Sequence, residues 1–333
     1  MATTELRDLL DVPVIAAPMG GGPSTPRLVA AVAAAGGLGF VAGGYKTPET
    51  LALEIADVRS LTSAPFGVNV FVPGEPTADR TAVERYVTAI GGDPALATWD
   101  DDHWAAKLDV LAASTPAVVS FTFGCPPVDV VAALQAAGVL VMATVTSADE
   151  AAQAVAVRVD VLCAQGREAG AHRGSFRDQS PSPSPPRRLL DLLDDLRGIG
   201  LPVVAAGGIM DSADVHTVLN AEAVAAQCGT AFLRCEESGA HPLHKDALAH
   251  PRFTATTMTR AFSGRLARSL VNGFVRDHPT APTAYPEINN ATRPLRAAAA
   301  KAGDADRMSL WAGTGWRRAI DGPAGAIVER LSG

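Results

Sequence analysis

Apolar residues along the 333-residue chain fall into short runs, each closed by Gly, Pro, Ser or Asn and followed by a longer Ala/Leu-rich stretch with helical spacing. The runs cover residues 14–17, 39–42, 66–71, 117–123, 139–145, 159–164, 202–206 and 223–227. Strand alternating with helix is the pattern of a parallel α/β protein. The runs are apolar at successive positions, so both faces of each strand are buried. Eight such strands fit a closed (β/α)8 TIM barrel better than an open sheet, whose edge strand would alternate in polarity.

Two stretches exceed a minimal barrel. Residues 73–116 carry helical spacing over 80–90 and 103–113. Residues 238–309, rich in Arg, Thr and Pro, read as a small helical lid subdomain inserted after strand eight and laid over the barrel mouth. A final helix around 315–331 then closes the barrel. The division is thus a barrel domain of residues 1–237 and 310–333 and a lid of 238–309, with the Ser/Pro run 180–186 as a loop beside the mouth. Barrel chemistry gathers at the carboxyl ends of strands. That directs attention to 18–23, Asn69, 124–127, 144–147, 165–176, 207–211 and 229–230.

Composition narrows the picture. An apolar fraction of 47% and a charged fraction of 19% exclude a disordered or collagen-like chain. With 28 basic against 35 acidic residues the net charge is -7, without the positive field that phosphate backbones require, so nucleic acid is excluded as a partner. Cys125, Cys163, Cys228 and Cys235 lack paired spacing and read as reduced thiols, not as disulfides or metal ligands. No apolar run reaches the roughly 18 residues of a membrane span, and the first residues lack a signal pattern, so the expected location is the cytoplasm.

Two glycine turns follow the last two strands, Gly207-Gly208 and, after Gln227-Cys228, Gly229-Thr230. Loops seven and eight of a barrel commonly bind phosphate through exposed backbone N–H groups, which glycine lets approach closely. The bland alternative is that these glycines relieve crowding. Asn69 and Gln165 end strands three and six; each suits the pyrimidine edge of a flavin, or is a satisfied barrel amide. Met19, in Pro18-Met19-Gly20-Gly21-Gly22, would lie against a planar ring. His172, in the loop after strand six, is the candidate base. Among the other histidines, His103 and His216 fall in helical stretches and His278 precedes a proline. His241, His244 and His250 cluster in the lid without the carboxylates or thiols of a metal site, so no metal is expected. Nucleophile-elbow, Walker and H-E-x-x-H motifs are absent.

These residues together resemble the nitronate monooxygenase family, formerly the 2-nitropropane dioxygenases. The resemblance spans residues 12–316 and rests on Pro18-Met19, 35–39, 67–71, 165–174, 205–209, 227–230, Ala261-Phe262-Ser263-Gly264-Arg265 and Leu310-Trp311-Ala312-Gly313. It implies an FMN-dependent barrel oxidising alkyl nitronates such as propionate 3-nitronate with O2 to carbonyl compounds and oxidised nitrogen. It further implies FMN contacts from Met19, Asn69, Gln165, Gly170, Gly207, Gly208, Gln227, Cys228, Gly229 and Thr230. His172 is the implied catalytic histidine. Many members have two glycines before that histidine, where this chain has Gly170-Ala171, so the Ala171 methyl bears on the pose of His172. Tyr285 and Trp311 remain candidates to face the flavin. Small nitro compounds and O2 are the implied partners, with oligomerisation left open. The alternative is an NAD(P)H-dependent FMN reductase of the quinone or enoyl-acyl-carrier-protein type on the same barrel. A flavin-binding protein without turnover is a third reading.

Overall fold

The computed structural model describes residues 5–178 and 185–333. Within them a closed barrel is formed by β1 (Val14–Ala16), β2 (Leu38–Ala42), β3 (Gly67–Phe71), β4 (Val118–Thr122), β5 (Leu140–Val145), β6 (Val161–Gln165), β8 (Val203–Ala206) and β9 (Ala225–Cys228). Each apolar run of the sequence contains or overlaps one of these strands. All neighbours are parallel, and β9 closes on β1 through Val14 opposite Ala226 and Ala16 opposite Cys228. β7 (Ala171–His172) stands outside this order.

Continuous apolarity has two destinations. Ile15, Phe40, Val118, Met142, Val161 and Val204 fill the barrel interior, and Leu6 joins them from the amino-terminal segment. Their neighbours Val14, Val41, Val68, Val119 and Val141 point outward to the surrounding helices. Gly67 makes the interior packing feasible, since a Cβ there would lie 2.2 Å from the Phe40 ring.

The outer layer comprises α1 (Pro26–Ala34), α2 (Pro48–Leu61), α5 (Val128–Ala136), α6 (Ala148–Ala156), α7 (Leu189–Asp195), α8 (Ser212–Asn220) and α12 (Ala324–Ser332), with α3 (Arg80–Ala89) and α4 (Trp104–Ser114) in the excursion between β3 and β4. Thr25, Thr47, Ser147 and Asp211 accept a backbone N–H in the first turns of α1, α2, α6 and α8, ending each βα loop at a fixed residue. The closing helix is shorter than the expected 315–331. A 3-10 turn (Trp316–Arg318) comes first, and α12 starts only after Gly322-Pro323, because Gly322 at φ 118 and a proline cannot continue a helix.

Residues 238–309 hold α9 (Pro242–Ala249), α10 (Gly273–Asp277) and α11 (Glu287–Lys301), but also β10 (Thr256–Thr259) and β11 (Ala267–Leu270). β11 pairs antiparallel with both β10 and β7, so the expected all-helical lid contains a hairpin that reaches the His172 loop. The adjacent polar pairs Thr256-Thr257 and Arg268-Ser269 interrupt any apolar run and hide this hairpin from an apolar-run reading. Leu310, Ala312 and Trp316 pack with Leu248, Phe253 and Leu270, and Trp311 bridges Ser269, so residues 310–316 stay in contact with the segment 238–309. Of the Ser/Pro run 180–186, residues 180–184 lie outside the described residues. Among the described residues no helix is long and apolar enough to cross a membrane.

Candidate active site

The two glycine turns lie side by side because β8 and β9 are hydrogen-bonded neighbours. Gly207 at φ 127 and Gly208 at φ 76 adopt backbone conformations closed to most side chains. A Cβ on Gly207 would lie 3.0 Å from the Ala169 nitrogen, and one on Gly208 3.0 Å from Glu168 Cβ. Beyond β9, the buried Cys228 accepts the Ala17 N–H at 2.9 Å, and Gly229 leads into a 3-10 turn (Thr230–Phe232). Thr230 Oγ1 accepts the Gly313 N–H at 3.0 Å, which ties the turn to the segment after the lid. Among the described residues, Gly208, Gly229 and Thr230 donate their backbone N–H groups to no protein acceptor. Unpaired backbone donors at neighbouring strand ends are groups from which an anion can accept. Met19 lies beside Gly229, its N–H held by Ser24 Oγ at 2.9 Å.

The strand-end amides differ in what they have left to offer. Asn69 is buried, and its Nδ2 is shared among the Ser120 carbonyl, Ser120 Oγ and Thr122 Oγ1 at 2.9–3.0 Å. Its Oδ1 has no protein partner among the described residues. Gln165 has both of its polar atoms engaged: Nε2 donates to the His172 carbonyl at 3.1 Å, and Oε1 accepts the Gly174 N–H at 2.8 Å. Gln227 Nε2 turns inward to Cys163 Sγ at 3.4 Å. All four cysteines are free, and burial pushes the Cys163 thiol up to about 12.

Gly170 is required by packing, since a Cβ there would lie 2.6 Å from the Gly313 nitrogen. Ala171, where a second glycine was the expected family residue, takes φ 60 despite its methyl group. The pairing of Ala171 with Arg268 and His172 with Ala267 holds it there. The loop is further fixed by buried Glu150, which accepts the Thr146 and Phe176 N–H groups at 2.6 and 2.8 Å. Arg173 donates to the Thr146 carbonyl at 3.1 Å, and Arg265 donates to the carbonyls of Arg173 and Ser175.

The His172 ring is enclosed by Phe123, Tyr285 and Trp311, with centroids at 5.9, 5.5 and 5.4 Å. Its Nε2 lies 2.8 Å from Ser263 Oγ. Burial, reinforced by the Arg265 and Arg296 cations, pushes its pKa down to about 3, so the imidazole is neutral at physiological pH. The Arg265 guanidinium stacks on Phe123 at 3.9 Å from the ring centre. A cavity of about 520 Å³ adjoins this chamber, lined among others by Tyr45, Phe71, Phe123, Arg265, Tyr285 and Arg293. The glycine turns do not line this cavity; Gly207 and Gly208 pack against Ala169 and Glu168, earlier in the loop that carries His172.

The structure brings His172, Tyr285 and Trp311, which the sequence singled out separately, around one chamber, and sets the two glycine turns at neighbouring strand ends. The sequence reading missed Ser263, Phe123 and Arg265 as neighbours of His172. Phe123 sits at a strand end, where it was findable, whereas Ser263 lies 91 residues from His172 in the chain. His244 faces away from any metal site: it is buried, it bonds the Trp311 carbonyl at 2.9 Å, and its pKa is pushed down to about 4 by burial. Among the described residues no cluster of three His, Cys, Asp or Glu side chains suits a metal ion.

Comparison with known proteins matches residues 3–332 to the model of the nitronate monooxygenase family. A probable nitronate monooxygenase of Staphylococcus aureus (strain Newman) is 37% identical over 97% of this chain and 94% of its own. Among solved structures, a nitroalkane oxidase from Streptomyces ansochromogenes superimposes with a TM-score of 0.94 at 49% identity, covering 98% of this chain and 96% of that one. FabK from Thermotoga maritima superimposes with a TM-score of 0.72 at 27% identity, over 98% and 94%.

Proposed function

The chain belongs to the nitronate monooxygenase family, and on that premise we propose that it is an FMN-dependent oxidoreductase acting in the cytoplasm on alkyl nitronates, propionate 3-nitronate among them, with O2 as co-substrate. Carbonyl compounds and oxidised nitrogen are the products. The observation that carries the reading is the aromatic-walled His172, neutral through burial, on the loop whose earlier residues Glu168 and Ala169 pack against the Gly207-Gly208 turn with its unpartnered backbone donor.

Those donors fit FMN. Gly208, Gly229 and Thr230 would hold its phosphate, with Gly207, Gln227 and Cys228 shaping the turns. Asn69 Oδ1 would meet the polar edge of the ring system, and Met19 its apolar face. Gln165 and Gly170 would serve indirectly, by fixing the loop. When bound, FMN would supply the electron acceptor.

The protein's own contribution is to bind, orient and keep dry. Phe123, Tyr285 and Trp311 exclude water around the reacting carbon. Arg265 and Arg296 supply positive potential for an anionic nitro group without requiring His172 to be charged. A neutral nitroalkane would lose its α-proton to His172, and the anion so formed would raise the imidazole pKa and hold the proton there. A preformed nitronate needs no such step. On this reading residues 238–309 act as the lid, since Ser263, Arg265 and Tyr285 all complete the chamber.

An anaerobic absorbance titration of the purified protein tests the proposal. Loss of the oxidised flavin spectrum on adding propionate 3-nitronate alone is the expected result. Reduction only by NADH would make the protein a reductase, and no spectrum after adding FMN would remove the cofactor assignment.

A further inference from the structure

We infer that Ser263 fixes the tautomer of His172, so that the proton sits on Nε2 and Nδ1 is the lone pair offered to substrate. Ser263 is thereby a positioning residue for proton abstraction, an inference that rests on the nitronate monooxygenase reading for its chemistry but not for its geometry.

A serine hydroxyl has one proton to give. Ser263 is fully buried, and its Oγ lies 3.1 Å from the Arg265 carbonyl, 3.3 Å from the Arg265 N–H and 2.8 Å from His172 Nε2. The Arg265 carbonyl accepts from no other donor among the described residues. Turning the hydroxyl toward His172 would leave that buried carbonyl unpaired, at a cost of about 1–3 kcal/mol. The proton therefore goes to the Arg265 carbonyl. Ser263 Oγ receives the Arg265 N–H on one lone pair and has the other left for His172. An oxygen that can only accept requires a donor, and the ring must carry its hydrogen on Nε2.

Nδ1 has no protein partner among the described residues, and the rings of Phe123, Tyr285 and Trp311 surround the imidazole. In the transfer step the substrate α-carbon–hydrogen bond breaks, its electron pair spreads into the nitro group, and a new N–H bond forms at Nδ1. The Nε2–H···Oγ bond persists through that step, so the ring gains a proton without turning. The opposite tautomer would leave no usable lone pair, because Nε2 would be engaged by Ser263 and Nδ1 would carry hydrogen. Unlike a carboxylate, the hydroxyl orients the imidazole without stabilising its cation.

The test is nitrogen-15 NMR of the histidine rings in the purified protein at neutral pH, with the His172 signals assigned by their absence from His172→Gln. A pyridine-like Nδ1 and a pyrrole-like Nε2 are expected. The reverse assignment in the unaltered protein overturns the inference whatever the substrate proves to be. In Ser263→Ala the two nitrogens should move toward averaged shifts, and turnover of a neutral nitroalkane should fall about tenfold, by more than that of its preformed nitronate. Unchanged shifts in a folded Ser263→Ala variant would also overturn it. If the spectrum is as expected but no nitro compound is turned over, the tautomer assignment stands and the functional reading fails.

Discussion

Gln165 grips His172 by its main chain and leaves the ring free: its amide bridges the His172 carbonyl at 3.1 Å and the Gly174 N–H at 2.8 Å. A strand-end amide thereby sets the height of the His172 loop above the barrel. Gln165→Leu, which keeps the bulk and removes both bonds, should lower kcat/KM for a neutral nitroalkane by about ten- to a hundredfold through misplacement of the ring. Flavin content measured by absorbance should change little. Loss of the flavin with full activity on reconstitution would return Gln165 to a direct cofactor contact.

His172→Ala separates the two substrate forms. Turnover of a neutral nitroalkane should fall by about 10²- to 10⁴-fold, the usual worth of a general base, and that of the preformed nitronate far less. Steady-state oxygen consumption with each form measures the difference. Equal losses would count against the base role.

Acid should destabilise the fold through its buried histidines. His244 has a folded-state pKa of about 4, depressed by burial, against about 6.5 in the unfolded chain. The neutral ring is thus the form that folding favours. This contribution is complete above pH 6.5 and is lost as pH falls toward 4, about 3 kcal/mol at the limit. Melting temperatures between pH 7.5 and 4.5 should fall less in His244→Gln, whose amide can still donate to the Trp311 carbonyl, than in the unaltered protein. His172 titrates in the same direction but lower, so nitroalkane turnover should show no acid limb between pH 8 and 5.

Ala171 and Gly170 should respond in opposite directions to the exchange of a methyl group. Ala171→Gly relieves a left-handed backbone and should stabilise by about 1 kcal/mol. Gly170→Ala drives a methyl into the backbone of Ala312 and Gly313 and should destabilise by more than that. Denaturant midpoints decide both.

Gly208→Val tests the anion cradle. Its side chain would crowd Glu168 Cβ and Thr314 Oγ1 at a φ of 76. FMN affinity should drop at least tenfold while riboflavin affinity, which lacks the phosphate contribution, changes less. Fluorescence titration of the flavin-free protein with each compound measures the split.

The barrel was legible because its strands are buried on both faces and leave unbroken apolar runs. The glycine turns were legible because two of them fall at neighbouring strand ends. The β7–β11–β10 sheet was not, since β7 has two residues and the hairpin strands carry consecutive polar residues in place of an apolar run. Arg265 stood in a recognised motif, yet its stacking on Phe123 depends on folding 238–309 back over β4, which no local pattern encodes. Asn69 and Gln165 looked alike as strand-end amides. Only the positions of Ser120, Thr122 and Gly174 show that the protein engages the oxygen of Gln165 and leaves that of Asn69 unpartnered.

Trp311 belongs mechanically to the lid. Its carbonyl is held by His244 of α9, its backbone bridges Ser269 of β11, and the preceding Leu310 carbonyl accepts the Ser269 hydroxyl. Tyr285 is held on the same side, and its hydroxyl donates to Tyr45 at 3.1 Å. A cover that swung away as a rigid body would therefore carry off two of the three walls around His172 and the serine behind it. The chamber is therefore a joint product of the barrel, which gives Phe123 at the end of β4, and of the segment folded over it, which gives Tyr285, Trp311 and the serine behind the ring.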